Sequence, residues 1–286
     1  MARLDALSML QEDGATALKL NEVYNKVIDG FSARAVSMQL KNPEYTGDVD
    51  AGSVVAKRFV DSVSKAYGTA RTAGAGAFIE AEEVVVPIDT HKEIIEEAEQ
   101  FDLDKVGLAG IVERRQRNHI SAMVREADTA FFAKAYSTGT QVTHTATDWI
   151  GKLEEMIVAL QSVSNDYVDG IEREMARLVV TPTVMSAVRV ALDALPANDN
   201  TFAQGALGMF HGVPIWESVH LPKGALQVAD AFCMVDGAIA QPIGVTPYSP
   251  SRIPLSKAIA IELYFDYGTA SLTPDLIFYS GDAYVA

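Results

Sequence analysis

The 286-residue chain holds a single cysteine, Cys233, so it has no intrachain disulfide framework and no cysteine-built zinc cage. No apolar run approaches 18 residues, which excludes a membrane-crossing helix. The opening residues MARLDALSMLQEDG place Asp5 soon after Arg3 and contain no apolar h-region, so no secretory signal is expected. These absences describe a soluble, cytoplasmic protein. Positive charge is also scarce. The 23 lysines and arginines face 38 aspartates and glutamates, for a net charge of −15. Gripping phosphates depends on cationic neutralisation, so a nucleic-acid-binding role is disfavoured.

The familiar motifs of chemistry are missing as well. There is no P-loop, no HExxH zinc helix and no GxSxG nucleophile elbow. Gly74 and Gly76 begin a dinucleotide fingerprint, but Ile79 stands where its third glycine belongs. The five histidines (His91, His119, His144, His211, His220) are scattered without metal-ligand spacing. Of these, His119 is expected to be a packed or interface residue rather than a base. Cys233, inside the apolar run AFCMV, is expected to be a buried, inert thiol. The acids of 93–104 lack an EF-hand register, so neither a metal nor a cofactor is expected. The arginines between 114 and 125 have no aromatics among them before Phe131 and Phe132, as a nucleic-acid groove would require.

What the chain does contain is charge in blocks and apolar residues in register. Residues 80–104 hold ten acids against Lys92 alone, while 54–78 carry Lys57, Arg58, Lys65 and Arg71 against Asp61. The two blocks can pair within one chain, pair between copies, or stand as two solvated faces. Apolar spacing predicts a helix over 15–41, with Gly30 ending or bending it. A long excursion over 53–88 reads as a two-legged, hairpin-like loop, too long for an ordinary connection. Residues 104–137 carry the clearest helical stripe, frayed at its start by Gly107 and Gly110. Further helices are predicted over 149–160, capped by Thr147 or Asp148, and from Pro182 to about Leu192. A short buried strand falls at 177–181. Later strands at 213–217, 227–235, 238–245, 258–267 and 276–279 complete an α+β order without βαβ alternation. The segment 194–209, rich in Asn, Asp and Gly, reads as a loop.

This series of elements resembles the major capsid proteins of tailed bacteriophages, with their Hong Kong 97-type (Johnson) fold. KAYGTARTAG (65–74) and VVVPIDTHKE (84–93) look like that family's E-loop and its return. VERRQRNH (112–119) through ADTAFF (127–132) looks like its spine helix. RLVVTP (177–182) and GVPI (212–215) resemble A-domain steps, and AIAIELYFDY (258–267) a long P-domain strand. The resemblance covers essentially 15–286 and rests on the order of the parts, since no single motif is diagnostic.

The resemblance implies an N-terminal arm (1–48), an extended E-loop (49–88), a P-domain (89–137 and 237–270) and an α/β A-domain (138–236 and 271–286). It implies a non-enzymatic subunit that self-assembles, as hexamers and pentamers, into the icosahedral head shell of a virion, assembled in the host cytoplasm. A separate scaffolding protein and a portal are the implied partners, with DNA enclosed but not bound sequence-specifically. No covalent cross-link set can be matched. An encapsulin-type nanocompartment shell and a soluble enzyme remain the alternatives. On this reading Lys57, Arg58, Lys65 and Arg71 of the E-loop contact a neighbour, whose Glu93, Glu96, Glu97 and Glu99 form the acidic landing surface. Ile120, Val124 and Phe131 are the expected core positions of the spine helix, facing the subunit's own sheet. The 138–235 region, and the 194–209 loop especially, would converge on the local symmetry axes.

Overall fold

Helix α1 (Gly14–Arg34) lays Val23, Val27 and Phe31, spaced by four, against the rest of the chain. The computed structural model describes residues 14–45, 52–62, 64, 66–68, 79–193, 208–224, 228–254, 256 and 258–281. Gly30 does not end α1, although its residue type suggested a stop or a bend there. A Cβ there would come within 2.7 Å of Ile120 Cδ1, so this glycine instead permits close helix packing. The break comes at Ala35, whose backbone is extended, and α2 (Val36–Leu40) follows. The buried Asp128 accepts hydrogen bonds from the Ser37 N–H at 2.9 Å and the Val36 N–H at 3.4 Å, satisfying the start of α2.

The excursion is a two-stranded antiparallel hairpin. β1 (Ser53–Phe59) pairs with β2 (Ala81–Pro87), in register from Ser53↔Pro87 to Phe59↔Ala81. Lys65 and Arg71 of its tip lie outside the described residues, as do residues 194–207 of the long loop.

β3 (Thr90–Ala98) is a strand that the charge pattern concealed. It pairs with β12 (Ile259–Tyr267) through nine residues, Thr90↔Tyr267 to Ala98↔Ile259. On its other edge β12 carries β10 (Ile243–Val245) and β11 (Ser249–Arg252). A short helix α3 (Gln100–Val106) precedes α4 (Leu108–Thr138), and Gly107, at φ 74°, makes the turn between them. At 1.5 Å per residue α4 is about 46 Å long. Its first half packs Val112, Ile120, Met123 and Val124 on Ile261, Leu263 and Phe265 of β12, with α1 closing the cluster.

The second sheet is mixed and six-stranded, ordered β4-β14-β8-β5-β7-β6. Its strands are β4 (Thr140–Gln141), β5 (Ala176–Val180), β6 (Met209–Phe210), β7 (Val213–Glu217), β8 (Ala231–Val235) and β14 (Ile277–Ser280). Period-2 alternation divides its two faces. Leu178, Val180, Ala231 and Cys233 face α5 (Trp149–Gln161) and α6 (Pro182–Asp193). Val179, Phe232 and Met234 face α2 and the second half of α4, where Phe131 and Phe132 sit. Asp148 caps α5, accepting from the Gly151 N–H. The α+β expectation holds.

Candidate assembly surface

The β1–β2 hairpin has two chemically different faces. Its inner face carries Ala56 and Val86, both buried against Ala240, Ala270 and Leu272 of the neighbouring strands β9 (Ile239–Ala240) and β13 (Ala270–Ser271) and the residue that follows. Further out on the same face, Arg58 donates through both terminal nitrogens to Asp275, each at 2.7 Å. Its guanidinium lies 4.0 Å from the ring centroid of Tyr167, whose hydroxyl donates to Glu82 at 3.0 Å. Asn165 donates to the same Asp275 carboxylate at 2.6 Å. Burial works to raise the Asp275 carboxyl, but the hydrogen bonds from Arg58 and Asn165 outweigh it and hold the group below the ordinary carboxylate range.

The outer face is apolar and uncovered. Val55 and Val85 stand directly opposite each other at 50% and 57% exposure, and Phe59 is exposed at 57%. Between them lies one solvated ion pair, Lys57 to Glu83 at 2.9 Å. Such a pair contributes ~0–1 kcal/mol.

The expected neighbour contacts are therefore of two kinds. Lys57 is exposed on the outer face, whereas Arg58 turns inward and is engaged by its own chain. Glu93 and Glu97 of β3, and Glu99 just after it, are exposed. Glu96 is not free in the same way. It accepts from Arg115 Nε at 2.9 Å and lies 3.2 Å from Nε2 of the buried His119. Hydrogen bonding from Arg115, opposed by burial and helped by His119, depresses its carboxyl. Together β3, α3 and α4 border an open groove of about 500 Å³, lined by Glu97, Asp102 and Arg114 over Val106 and Ile111. Ile120, Val124 and Phe131 are all buried, the first two beneath β12 and Phe131 against the six-stranded sheet.

Two other polar clusters invite a chemical reading. His119 Nδ1 is 2.6 Å from the Tyr248 hydroxyl, a buried link between α4 and the segment before β11. Glu155, His144 and Ser280 are arranged as orienter, base and nucleophile would be, with His144 Nδ1 3.0 Å from Glu155 and Nε2 2.8 Å from Ser280 Oγ. Ser280 is only 3% exposed, which bars a substrate carbonyl from its hydroxyl. The three residues tie β14, α5 and the segment before α5 together. Cys233 is fully buried, and burial pushes its thiol up to about 12, which removes the reactive thiolate at neutral pH. Sequence reading missed Asp275, Asn165 and Tyr167, because no local pattern links them to an arginine more than 100 positions away.

No family model matches the sequence, and no curated protein matches it. Solved structures do. The chain superposes on a structure from Mycobacterium phage Che8 with a TM-score of 0.64 at 20% identity, covering 86% of this chain and 91% of that one. The capsid of a native GTA particle gives a TM-score of 0.59 at 14% identity, over 86% of this chain and 89% of that one. The capsid structure of the cyanophage P-SCSP1u gives 0.58 at 14% identity, over 80% and 83%. At these identities the likeness is one of fold: along most of its length the chain is folded as the cyanophage and GTA capsid chains are.

Proposed function

We propose that the chain is a major capsid protein, a non-enzymatic subunit that self-assembles into the closed icosahedral head shell of a tailed phage. The observation that carries this reading is the β1–β2 hairpin. Its register is fully formed, one face is seated on its own subunit, and the other holds Val55, Val85 and Phe59 open to water. A second copy is the natural cover for such a strip, because exposed apolar patches mark interaction sites. The fold shared with capsid chains supports the same reading.

On this proposal residues 1–48 are the arm and 49–88 the E-loop. Residues 89–137 with 237–270 form the P-domain, and 138–236 with 271–286 the A-domain. The separation of the β3/β12 sheet from the six-stranded sheet supports that division. The exposed Glu93, Glu97 and Glu99, beside the groove at α3, form the landing surface for a neighbour's Lys57, Lys65 and Arg71. Hexamers and pentamers require heterologous contacts, so the two sides of one subunit must be complementary. A scaffolding protein and a portal complete the assembly in the host cytoplasm, and the acidic chain encloses DNA without gripping it.

Electron microscopy and sedimentation of the purified protein, alone and with scaffolding protein, test the proposal. Closed particles of uniform diameter are expected. A strictly monomeric protein at high concentration under both conditions refutes it, and small shells formed without portal or scaffold would indicate a nanocompartment.

A further inference from the structure

We propose that Arg58 is a positioning residue, whose clamp on Asp275 sets the direction of the hairpin in the isolated subunit before any neighbour arrives. The first half of this inference concerns the single chain. Its second half, that the preset direction assists assembly, rests on the capsid reading above.

A two-stranded ribbon is marginal in water on its own and free to swing about its root. The small cluster at Ala56 and Val86 holds only that root. Arg58 lies nearer the tip and reaches a different part of the molecule, the turn Pro274–Leu276 that leads into β14. Its contact has the geometry that confers direction. Two parallel donors meet both oxygens of one carboxylate, and this fork tolerates little rotation. The guanidinium plane also rests on the Tyr167 ring, and Tyr167 reaches across to Glu82, which pairs with Arg58 in the hairpin register. Next along the chain, the Asp61 N–H donates to the Asp166 carbonyl at 3.1 Å. β1 is thus fastened to Asp275 and to the 165–167 turn, and β2 to the same turn through Glu82. The side chains of Arg58 and Asp275 are 13% and 25% exposed, so the pair is shielded from the screening that weakens surface ion pairs.

A hairpin held in one direction loses less freedom when a second subunit covers its outer face. Preorganisation of this kind lowers the cost of association without adding a contact. The clamp on the inner face therefore serves the apolar strip on the outer face.

The test measures direction and assembly separately. Cysteines introduced as Glu80→Cys and Glu172→Cys, both at exposed positions, accept spin labels, and the wholly buried Cys233 does not compete. Pulsed dipolar spectroscopy on the subunit should give one narrow distance distribution. Arg58→Met should broaden it severalfold, and Arg58→Lys, which keeps the charge but loses the fork, should fall between. Asp275→Asn, which removes the charge at the other end, should broaden it as well and serves if Arg58→Met fails to fold. A distribution as narrow in Arg58→Met or Asp275→Asn as in the parent overturns the clamp. In the unlabelled protein, Arg58→Met should raise the critical concentration for particle formation about three- to tenfold. Broadened distances with an unchanged critical concentration overturn the assembly role. If the parent chain forms no particles, the capsid reading fails while the distances still decide the clamp.

Discussion

At the scale of single residues, stability is set by a few side chains that water cannot reach. Phe131 is fully buried and meets Phe132 edge-on, with ring centroids 5.4 Å apart. Phe131→Ala should cost ~3–5 kcal/mol, since neighbours on two elements cannot both collapse into the space. Denaturant melts followed by circular dichroism would measure the loss. Glu155 gives a pH signature. The hydrogen bond from the Thr145 hydroxyl, opposed by desolvation and joined by His144 and the N–H groups of Ala146 and Thr145, takes its carboxyl from 4.5 to about 2. A depressed folded-state value means that this contribution is complete above pH ~4.5 and fades as pH falls toward 2. Glu155→Gln should flatten that part of a melting-temperature profile. Such residues are poorly legible in a sequence. The spacing of Phe131 in its stripe announced a core position, whereas Thr145 and Glu155 find each other only through the turn into α5, the helix that Asp148 caps.

At the scale of elements, legibility followed periodicity. Helices α4 and α5 were readable because their apolar residues recur at three and four, and the cap at Asp148 because it precedes such a run. β3 was not, because Glu96 takes an inward position that alternation assigns to an apolar residue, while Ile95 faces outward at 47% exposure. The pairing of Glu96 with Arg115 makes that exchange tolerable, and nothing local in THKEIIEEA reports it. The elbow between α1 and α2 was equally hidden, since its capping carboxylate comes from Asp128, more than 90 residues away. Asp128→Ala should cost about 2 kcal/mol by leaving two N–H groups unsatisfied, and Asp128→Asn should cost less by keeping an acceptor. Hydrogen exchange at Ser37 would register the difference directly.

At the scale of the whole molecule, the charge blocks acquire separate roles. Arg58 is engaged within the chain and Glu96 with Arg115, so an electrostatic contact between copies must use the remaining members of each block. Reversing Lys65 and Arg71 to glutamate should leave the subunit folded but reduce particle yield in sedimentation. Glu93→Lys with Glu97→Lys should recover part of it. A compensating change at Glu96 should fail, because it also strands Arg115. Normal yield from the reversed tip at both low and moderate salt would refute the docking of these charges. The order of the elements was enough to suggest an assembly protein; the inward turn of Arg58 was not, because it depends on a tertiary partner. Helix α4 has one more consequence. Its first half is buried under β12 and its second half against the six-stranded sheet, with no break between Leu108 and Thr138. Neither cluster can dissolve without baring part of the same rod, so the two sheets should lose their structure together. Scanning calorimetry of the subunit should accordingly record one heat-absorption peak, with calorimetric and van't Hoff enthalpies equal, as expected of a single thermodynamic unit.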